Sequence, residues 1–372
     1  MRRRRVLTVV DSLRRGGVER LVVTLQGRLS RSRFDLRVAS LSPPDDLAAE
    51  LRGMKVSVYE LEHAGARDLP RTVLRLRRLV SGMGIDLVHT HGAVAGVVGR
   101  LASWGKAPVV STLHDPAEPR DHAGVGGRAL AALDRLTARR LSARLLAVSH
   151  ASRDAHARLG YGEPEVVHNC IEVEGFRARV QRHDRGQVRR AHGLGGDETV
   201  LLHVGRFERH KGQDQLLRAF RIALTEDPGL RLLLAGKGPT LPEARGLAEE
   251  LDLQDAVVFL GEVADPAPLY RAADVFVFPS RREAFGVALL EAMAAGLPAV
   301  VARTGGIPEV ASDGTALFAD CAREEDLARR ILELVRDPGL RRRLGEAAAR
   351  RASDFDVSRC VTRLEEIYRE LT

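Results

Sequence analysis

Two cationic residues follow an apolar run in the second half of the chain, within the segment HVGRFERHKGQDQLLRAF at residues 203–220. Arg206 and Lys211 lie in the short loop after the predicted strand, and Gly212 opens the predicted helix. Cations at the end of a strand, beside a helix N-terminus, form an anion site. Arginine grips phosphate oxygens with its planar fork and lysine adds a point charge, so we expect a diphosphate. The alternative is an ordinary solvated loop.

Two carboxylates, Glu283 and Glu291, lie eight positions apart further along the chain. Glu283 precedes a predicted helix and Glu291 lies two turns inside it, about 8 to 10 Å from the helix start. Carboxylates accept hydrogen bonds from vicinal hydroxyls, so this pair could hold two sugars of one ligand. Gly286 opens the helix, and we expect the backbone N–H groups of Phe285 and Gly286 to face that ligand. The alternative is two exposed acids of an ordinary helix.

Short apolar runs that alternate with amphipathic stretches must position these residues. Wholly apolar runs are typical of strands buried on both faces of a parallel sheet, and their alternation with helices predicts doubly wound α/β domains. The predicted strands span residues 6–10, 36–41, 86–91, 108–113, 144–149, 199–205, 230–236, 257–261, 275–280 and 298–302.

A length of 372 residues suits two domains of about 150–200 residues. We predict an N-terminal domain over residues 1–175, a second domain over 176–355 and a C-terminal helix over 356–372 that crosses back to the first domain. The polar and charged stretch around residues 175–195 is expected to be a linker followed by a short helix.

The basic excess of the chain lies in its first half. Residues 1–175 contain 28 basic and 19 acidic residues, and residues 176–372 contain 30 and 31. Such asymmetry indicates an acidic partner, such as a membrane surface, a phosphorylated acceptor or a nucleic acid. The alternative is an arginine-rich composition, since only four of the 58 basic residues are lysines. The segment RTVLRLRRLV at residues 71–80 is typical either of an interfacial helix or of a sheet-covering helix with a basic face.

The cysteines and the apolar runs bear on the compartment. Cys170, Cys321 and Cys360 are odd in number and lack metal-site spacing, which favours a reduced cytoplasm. No stretch approaches the ~20 apolar residues of a membrane-spanning helix. The first apolar run ends at Asp11 after five residues, too short for a signal peptide.

Residues 199–310 resemble the C-terminal domain of the GT4 family of retaining glycosyltransferases, which have the GT-B fold. The matching pieces are GR-x4-KG (205–212), AGKGP (235–239), VFLG (258–261), FPSRREAFGVALLEAMAAGLPAVV (278–301) and GGIPEV (305–310). The first half agrees, because five further segments resemble the family's acceptor domain and hinge. These are SLRRGGVERLV (12–22), VHTHG (88–92), STLHD (111–115), LAVSHASRD (146–154) and VVHNCIEVEGF (166–176), although Cys170 stands where the family's hinge has glycine.

The resemblance implies two Rossmann-like domains that face a central cleft, and it assigns roles to the residues above. Arg206 and Lys211 would bind the donor diphosphate and stabilise the leaving group as its negative charge grows. Glu291 would bind the ribose hydroxyls. Glu283 would hold the transferred hexose together with the backbone N–H groups of Phe285 and Gly286.

Further residues are implied by the same resemblance. Gly16 and Gly17 would allow the backbone to approach the donor closely. His114, at a strand end, would contact the primary hydroxyl of the sugar. The segment from Val258 to Gly261 would pass near the base. His89 and His91 flank Thr90 and are expected to point to opposite faces of their strand. At most one of them would then face the cleft.

The function implied is retaining transfer of a hexosyl unit from a nucleotide-diphosphate sugar to a glycan, lipid-linked or small-molecule acceptor, as in polysaccharide and cell-envelope assembly. Two cations can replace Mg²⁺, so we expect neither a metal nor another cofactor. A GT-B nucleotide-sugar epimerase and a non-catalytic nucleotide-sugar binder remain alternatives. Nucleic acid is not an expected partner, because no nucleic-acid-binding motif accompanies the basic excess. We expect a cytoplasmic enzyme, with the inner face of the membrane as a candidate docking surface.

Overall fold

The computed structural model describes residues 2–43, 45–114 and 125–372. The chain forms two compact units, one of Met1–Cys170 with Val357–Thr372 and the other of Ile171–Asp356. The chain thus leaves the first unit at Cys170 and re-enters it at Val357, where the sequence placed boundaries at 175 and 356.

The first unit contains a parallel sheet, seven-stranded among the described residues. Its strands are β1 (Arg4–Ser12), β2 (Phe34–Ser42), β3 (Ser57–Glu60), β4 (Leu87–His91), β5 (Val109–Leu113), β6 (Arg144–Ala147) and β7 (Glu165–Val166). They lie in the order β3-β2-β1-β4-β5-β6-β7, and Val9 of β1 pairs with both Ala39 and Thr90. The short outer strands β3 and β7 lack a wholly apolar run, which is why the sequence pattern does not reveal them.

The helices of the first unit connect these strands. They are α1 (Gly17–Arg28), α2 (Ala48–Gly53), α3 (Leu69–Gly82), α4 (Ala93–Ser103), α5 (Val125–Leu141) and α6 (His150–Arg158). A 3₁₀ turn, Ala66–Asp68, precedes α3.

The second unit contains a second parallel sheet, six-stranded in the part of the chain that the structure describes. Two helices precede it, α7 (Val173–Gln181) and α8 (Arg185–Ala191). Its strands are β8 (Thr199–Val204), β9 (Leu230–Ala235), β10 (Val257–Gly261), β11 (Val275–Phe278), β12 (Ala299–Ala302) and β13 (Leu317–Ala319), in the order β10-β9-β8-β11-β12-β13. The remaining helices are α9 (Gln213–Glu226), α10 (Leu241–Glu250), α11 (Ala267–Ala272), α12 (Val287–Ala294), α13 (Ile307–Val310), α14 (Glu324–Arg336) and α15 (Pro338–Ala352).

The stretch around residues 175–195 was predicted to be a linker followed by a short helix. The short helix is present as α8, but most of the preceding residues form α7 instead of a linker. Asp184 caps α8 by accepting a hydrogen bond from the Gln187 backbone N–H at 2.7 Å. Arg185 and Arg189, one helical turn apart, both form ion pairs with Asp274 at the start of β11. The charged side chains therefore anchor α8 to the second sheet instead of solvating a linker.

The last helix, α16 (Val357–Leu371), packs in the first unit. Its apolar face joins the core formed by β1, β2 and α1, where the ring of Tyr368 meets Phe34 edge to face at 5.7 Å. Glu365 on the same helix accepts a hydrogen bond from the Ser30 backbone N–H at 2.8 Å and pairs with Arg33. Burial of the apolar face, the hydrogen bond and the ion pair together hold the helix on this unit.

Each sheet has one point where the strand order reverses. In the first unit the chain runs outward from β1 to β3 and then places β4 on the other side of β1. In the second unit it runs from β8 to β10 and then places β11 beside β8. Ligands of doubly wound sheets bind outside the carboxyl ends of the strands at such a switch point. The loops after β1, β4, β8 and β11 therefore lie where these two sheets can bind ligands.

Candidate active site

The loop after β8 carries both predicted cations. Arg206 follows the strand end, a 3₁₀ turn spans Arg209–Lys211, and α9 begins at Gln213. Gly212 has φ +74°, and a Cβ there would overlap the Pro279 carbonyl oxygen, so only glycine fits. The buried side-chain amide of Gln213, the first residue of α9, donates to the Arg206 carbonyl at 2.8 Å. This hydrogen bond ties the start of the loop to the start of the helix.

The loop after β11 lies against the β8 loop. The backbone N–H of Arg281 donates to the His210 carbonyl at 2.7 Å. On the other side the Gly306 N–H donates to the Glu283 carbonyl at 3.0 Å. Gly305 has φ +50°, and a Cβ there would overlap the same Glu283 carbonyl. The main chain around Glu283 is thus held between the cation loop and the Gly-Gly turn before α13.

Both predicted cations have carboxylate partners within the unit. Lys211 Nζ lies 2.7 Å from Glu283 Oε2, with the two side chains 19% and 12% exposed. Arg206 is 61% exposed and its guanidinium lies 2.9 Å from Glu208, whose other oxygen is 3.4 Å from His210 Nδ1. The structure therefore brings Lys211 and Glu283 into direct contact and leaves the charged end of Arg206 mostly in solvent.

Gly286 caps α12 with φ +99°, so the N-terminal amides of this helix lie directly after Glu283 and Phe285. Phe285 is buried, with its ring edge to face against Phe355 at 5.5 Å. Glu291 lies in the second turn of α12, where the Tyr270 hydroxyl contacts its Oε2 at 3.0 Å. A helix N-terminus with a carboxylate on each side can bind a ligand that carries both anionic and hydroxyl groups.

The segment Val258–Gly261 enters the site only at its end. Gly261 ends β10 with φ +67°, and its carbonyl accepts a hydrogen bond from the Gly236 N–H at 2.7 Å. Val258 lies three residues earlier, about 10 Å down the strand from the carboxyl edge. Gly261 is therefore bonded to the AGKGP loop at the carboxyl edge of the sheet. Val258 lies within the strand, away from that edge.

In the first unit, the corresponding loops carry the glycine pair and the histidines. Gly16 is the N-cap of α1 with extended backbone, and Gly17 has no heavy atom within 4 Å of a Cβ built there. His91 Nδ1 and His114 Nε2 are 2.9 Å apart, at the carboxyl ends of β4 and β5. The glycine turn and His114 therefore both lie at the carboxyl edge of the sheet.

The prediction that His89 and His91 point to opposite faces is wrong. Their ring centroids are 4.2 Å apart, because residues two positions apart in a strand share a face. His89 is engaged on both ring nitrogens, with the Tyr368 hydroxyl at 2.6 Å and the Thr112 hydroxyl at 2.8 Å. Burial, followed by the neighbouring imidazole of His114, lowers the pKa of His89 to about 3. Burial and the imidazoles of His89 and His114 also lower the pKa of His91 well below 6.5.

Other residues at these loops were not found by sequence reasoning. Asp11, at the end of β1, accepts a hydrogen bond from the Ala95 N–H at 2.6 Å, and burial raises the pKa of its carboxyl to about 6. Tyr270 and Gln213 hold Glu291 and Arg206. Each contact joins elements that only the fold brings together. The one sequence feature that could have identified any of these residues was the position of Asp11 after an apolar run.

The sequence carries one Asp-x-Asp triplet of the kind that can bind a metal, Asp354-Phe355-Asp356. Asp354 forms an ion pair with Arg351 at 2.8 Å, and Asp356 accepts a hydrogen bond from the Val173 N–H at 3.2 Å. These carboxylates stabilise the end of the second unit and lie apart in sequence from the switch-point loops.

Two doubly wound parallel sheets, each with polar residues at its switch point, define the GT-B class. Solved glycosyltransferases of this fold match the whole chain. HepE of Anabaena in complex with UDP-glucose has a TM-score of 0.87 at 23% identity and covers 99% of this chain and 100% of its own. WaaG, a glycosyltransferase of lipopolysaccharide biosynthesis, has a TM-score of 0.77 at 18% identity, with 99% of both chains covered.

Family models and relatives identify the group within that class. The model "Glycosyl transferases group 1" matches residues 184–351, and "Glycosyltransferase Family 4" matches residues 15–174. The D-inositol 3-phosphate glycosyltransferase of Streptomyces bingchenggensis is 30% identical over 95% of this chain and 85% of its own length. That of Thermomonospora curvata is 35% identical over 76% and 71%. The chain belongs to the GT4 family of glycosyltransferases, as its motifs predicted, and it is a glycosyltransferase.

Proposed function

We propose that this enzyme transfers a hexosyl unit from a nucleoside-diphosphate sugar with retention of anomeric configuration and without a metal ion. The observation that carries the proposal is the joined pair of loops at the β8–β11 switch point. There Arg206 and Lys211 offer positive charge for a diphosphate, and Glu283 and Glu291 lie on either side of the α12 N-terminus. These groups suit the three parts of such a donor: phosphates, hexose and ribose.

Each group has one role in the proposed reaction. Arg206 and Lys211 stabilise the nucleoside diphosphate as it leaves, because preorganised cations act most strongly where negative charge develops. Glu283 and the amides at the start of α12 bind the transferred hexose, and Glu291 binds the ribose. His114 contacts the primary hydroxyl of the sugar. The family resemblance favours front-face attack, in which the leaving phosphate accepts the proton of the acceptor.

The relatives support a proposal for the donor and acceptor classes. HepE has been solved with UDP and with UDP-glucose, which makes a UDP-hexose the first donor to test. The relatives above are named for D-inositol 3-phosphate, and the basic excess of residues 1–175 fits an anionic acceptor of that kind. We therefore propose a phosphorylated acceptor, either a small polyol phosphate or a lipid-linked phosphate.

A donor panel tests this proposal. The enzyme is incubated with labelled UDP-, GDP- and ADP-hexoses and with inositol phosphate or a polyprenyl-phosphate-linked sugar as acceptor. Transfer is measured by mass spectrometry, and the anomeric configuration of the product by its NMR coupling constant. Inversion would overturn the retaining mechanism. A C2 epimer of the donor, formed without transfer, would support the epimerase alternative.

We expect transfer to continue unchanged in excess EDTA. Lys211 and Arg206 provide the countercharge that Mg²⁺ would otherwise supply to the diphosphate. The initial rate is measured before and after exhaustive chelation, with Asp354→Ala as a control variant that removes one carboxylate of the Asp-x-Asp triplet. Loss of activity in EDTA that Mg²⁺ or Mn²⁺ restores would contradict the proposal. If Asp354→Ala then abolished this rescue by metal while the variant stayed folded, the metal would lie at the triplet.

A membrane surface is a second proposed partner, and the structure changes the residues that would carry it. The apolar side of α3 is not available, because Leu76 and Val80 are buried against the sheet of their own unit. Two other apolar side chains are exposed instead, Leu74 on α3 (55%) and Trp104 after α4 (69%). Arg77 of α3 donates to the Trp104 carbonyl at 2.9 Å, so these two elements adjoin.

Two arginines complete this surface, since Arg71 and Arg78 of α3 are exposed and no described carboxylate forms an ion pair with them. An exposed tryptophan beside arginines is typical of residues at the interface of an anionic bilayer. Each basic side chain near such a surface contributes about 1 kcal/mol of binding, screened by salt. We propose that the first unit docks on the inner face of the cytoplasmic membrane through Leu74, Trp104 and these arginines.

Liposome flotation tests the docking surface. We expect the enzyme to float with vesicles that contain phosphatidylglycerol at low salt and to sediment from phosphatidylcholine vesicles or at high salt. Trp104→Ser should lower binding because it removes the largest exposed apolar side chain. Leu136→Ser is the control, because it removes an exposed apolar side chain on α5, outside the proposed surface. Equal binding of both variants, or no binding in any condition, would contradict this surface.

A further inference from the structure

The Tyr270 hydroxyl lies against the carboxylate that we assign to the ribose. Tyr270 is 1% exposed, and its oxygen lies 3.0 Å from Glu291 Oε2 and 3.1 Å from the Ala288 carbonyl oxygen. The two acceptors lie one turn apart on α12, whereas Tyr270 comes from α11. This contact therefore links the position of the Glu291 side chain to a neighbouring helix.

Aromatic packing holds the phenol in place. The Tyr270 ring meets Phe176 of α7 edge to face at 5.5 Å and Phe276 of β11 at 5.8 Å. Burial, and after it the charge of Glu291, raises the pKa of Tyr270 well above 10, so the hydroxyl keeps its proton and can donate it. A hydrogen bond to a carboxylate is stronger than one to a backbone carbonyl, so Glu291 is the preferred acceptor.

We infer that Tyr270 is a positioning residue that fixes the Glu291 carboxylate for the ribose hydroxyls and thereby sets the preference for ribonucleotide over 2′-deoxyribonucleotide donors. This inference rests on the proposed role of Glu291 as the ribose ligand. A glutamate has three rotatable side-chain bonds, and an accepted hydrogen bond at Oε2 removes much of that freedom before the ligand arrives. The carboxylate is then held in one fixed orientation, as recognition of a vicinal diol requires.

The test compares dissociation constants for UDP and 2′-deoxy-UDP, measured by calorimetry on the full-length enzyme. We expect the wild type to prefer UDP about tenfold, the effect of one hydrogen bond to a charged group. Glu291→Ala, which removes every side-chain acceptor, should abolish the preference. Tyr270→Phe, which removes only the hydroxyl, should reduce the preference to about twofold or less while 2′-deoxy-UDP binding changes little.

Tyr161→Phe is the matched control. It also removes a phenol that donates to a carboxylate, Asp134 at 2.6 Å, but in the first unit and remote in sequence from the donor loops. It should keep the wild-type preference. A ratio of two dissociation constants does not depend on the folded fraction, so a partly unfolded Tyr270→Phe preparation still gives the answer.

The outcomes separate the inference from the function on which it rests. If the wild type does not distinguish the two nucleotides, or Glu291→Ala retains the preference, the ribose assignment of Glu291 is wrong. If Glu291→Ala loses the preference but Tyr270→Phe retains it as Tyr161→Phe does, Glu291 binds ribose and the positioning role of Tyr270 is overturned.

Discussion

Replacing Lys211 with alanine is expected to lower kcat/KM for sugar transfer by about 10²–10³-fold, the usual result of removing one preorganised group that stabilises developing charge. Lys211 is the better shielded of the two cations, with its Nζ 2.7 Å from Glu283 and both side chains less than one-fifth exposed. The substitution removes the positive charge that is proposed to face the diphosphate. It also leaves the Glu283 carboxylate without its lysine partner. Both changes act against the transition state.

Arg206→Ala should cause a smaller loss, about 10²-fold, because its guanidinium is mostly exposed and more strongly screened. Steady-state rates with a UDP-hexose, at equal concentrations of folded enzyme, measure both effects. Lys106→Ala is the matched control, since this lysine is exposed in the turn after α4. Turnover near that of the wild type in Lys211→Ala would refute the diphosphate assignment.

The strands that carry the site could be predicted from the sequence because the residues within each strand determine its burial. A strand buried on both faces needs a largely apolar run, and each predicted run lies on a strand of the two sheets. The glycines around the donor loops were also informative. Gly212, Gly286 and Gly305 have positive φ values that other residues adopt only with strain. The motifs that contain them are therefore recognisable from the sequence alone.

Contacts between distant elements could not be predicted in the same way. Tyr270 and Glu291 are 21 positions apart and meet only because the fold brings the Tyr270 hydroxyl to α12. The charged run around residues 175–195 has the composition of a linker, and only the pairing of Arg185 and Arg189 with Asp274 reveals its structural role. Composition cannot distinguish a solvated charge from one whose partner comes from another element.

Replacing Gly305 with alanine is expected to lower kcat/KM about 10²-fold, although Gly305 has no side chain to offer a ligand. At φ +50° an alanine is strained, and its Cβ would overlap the Glu283 carbonyl oxygen. The Gly306 N–H holds that same carbonyl at 3.0 Å, so the Glu283 main chain must move for the methyl group to fit. A shift of about 1 Å in a group that positions the substrate can cost about 10²-fold in rate.

The effect should be confined to the part of the reaction that Glu283 serves. UDP carries no hexose, so Gly305→Ala should bind UDP nearly as the wild type does while it transfers sugar poorly. Thermal unfolding should show a loss of about 1–3 kcal/mol from backbone strain. Gly314→Ala is the matched control, because Gly314 has ordinary φ and no heavy atom within 4 Å of a Cβ built there. If Gly305→Ala weakens UDP binding and transfer equally, the Gly-Gly turn supports the whole donor site and not the position of Glu283, because loss of the hexose contact alone leaves nucleotide affinity intact.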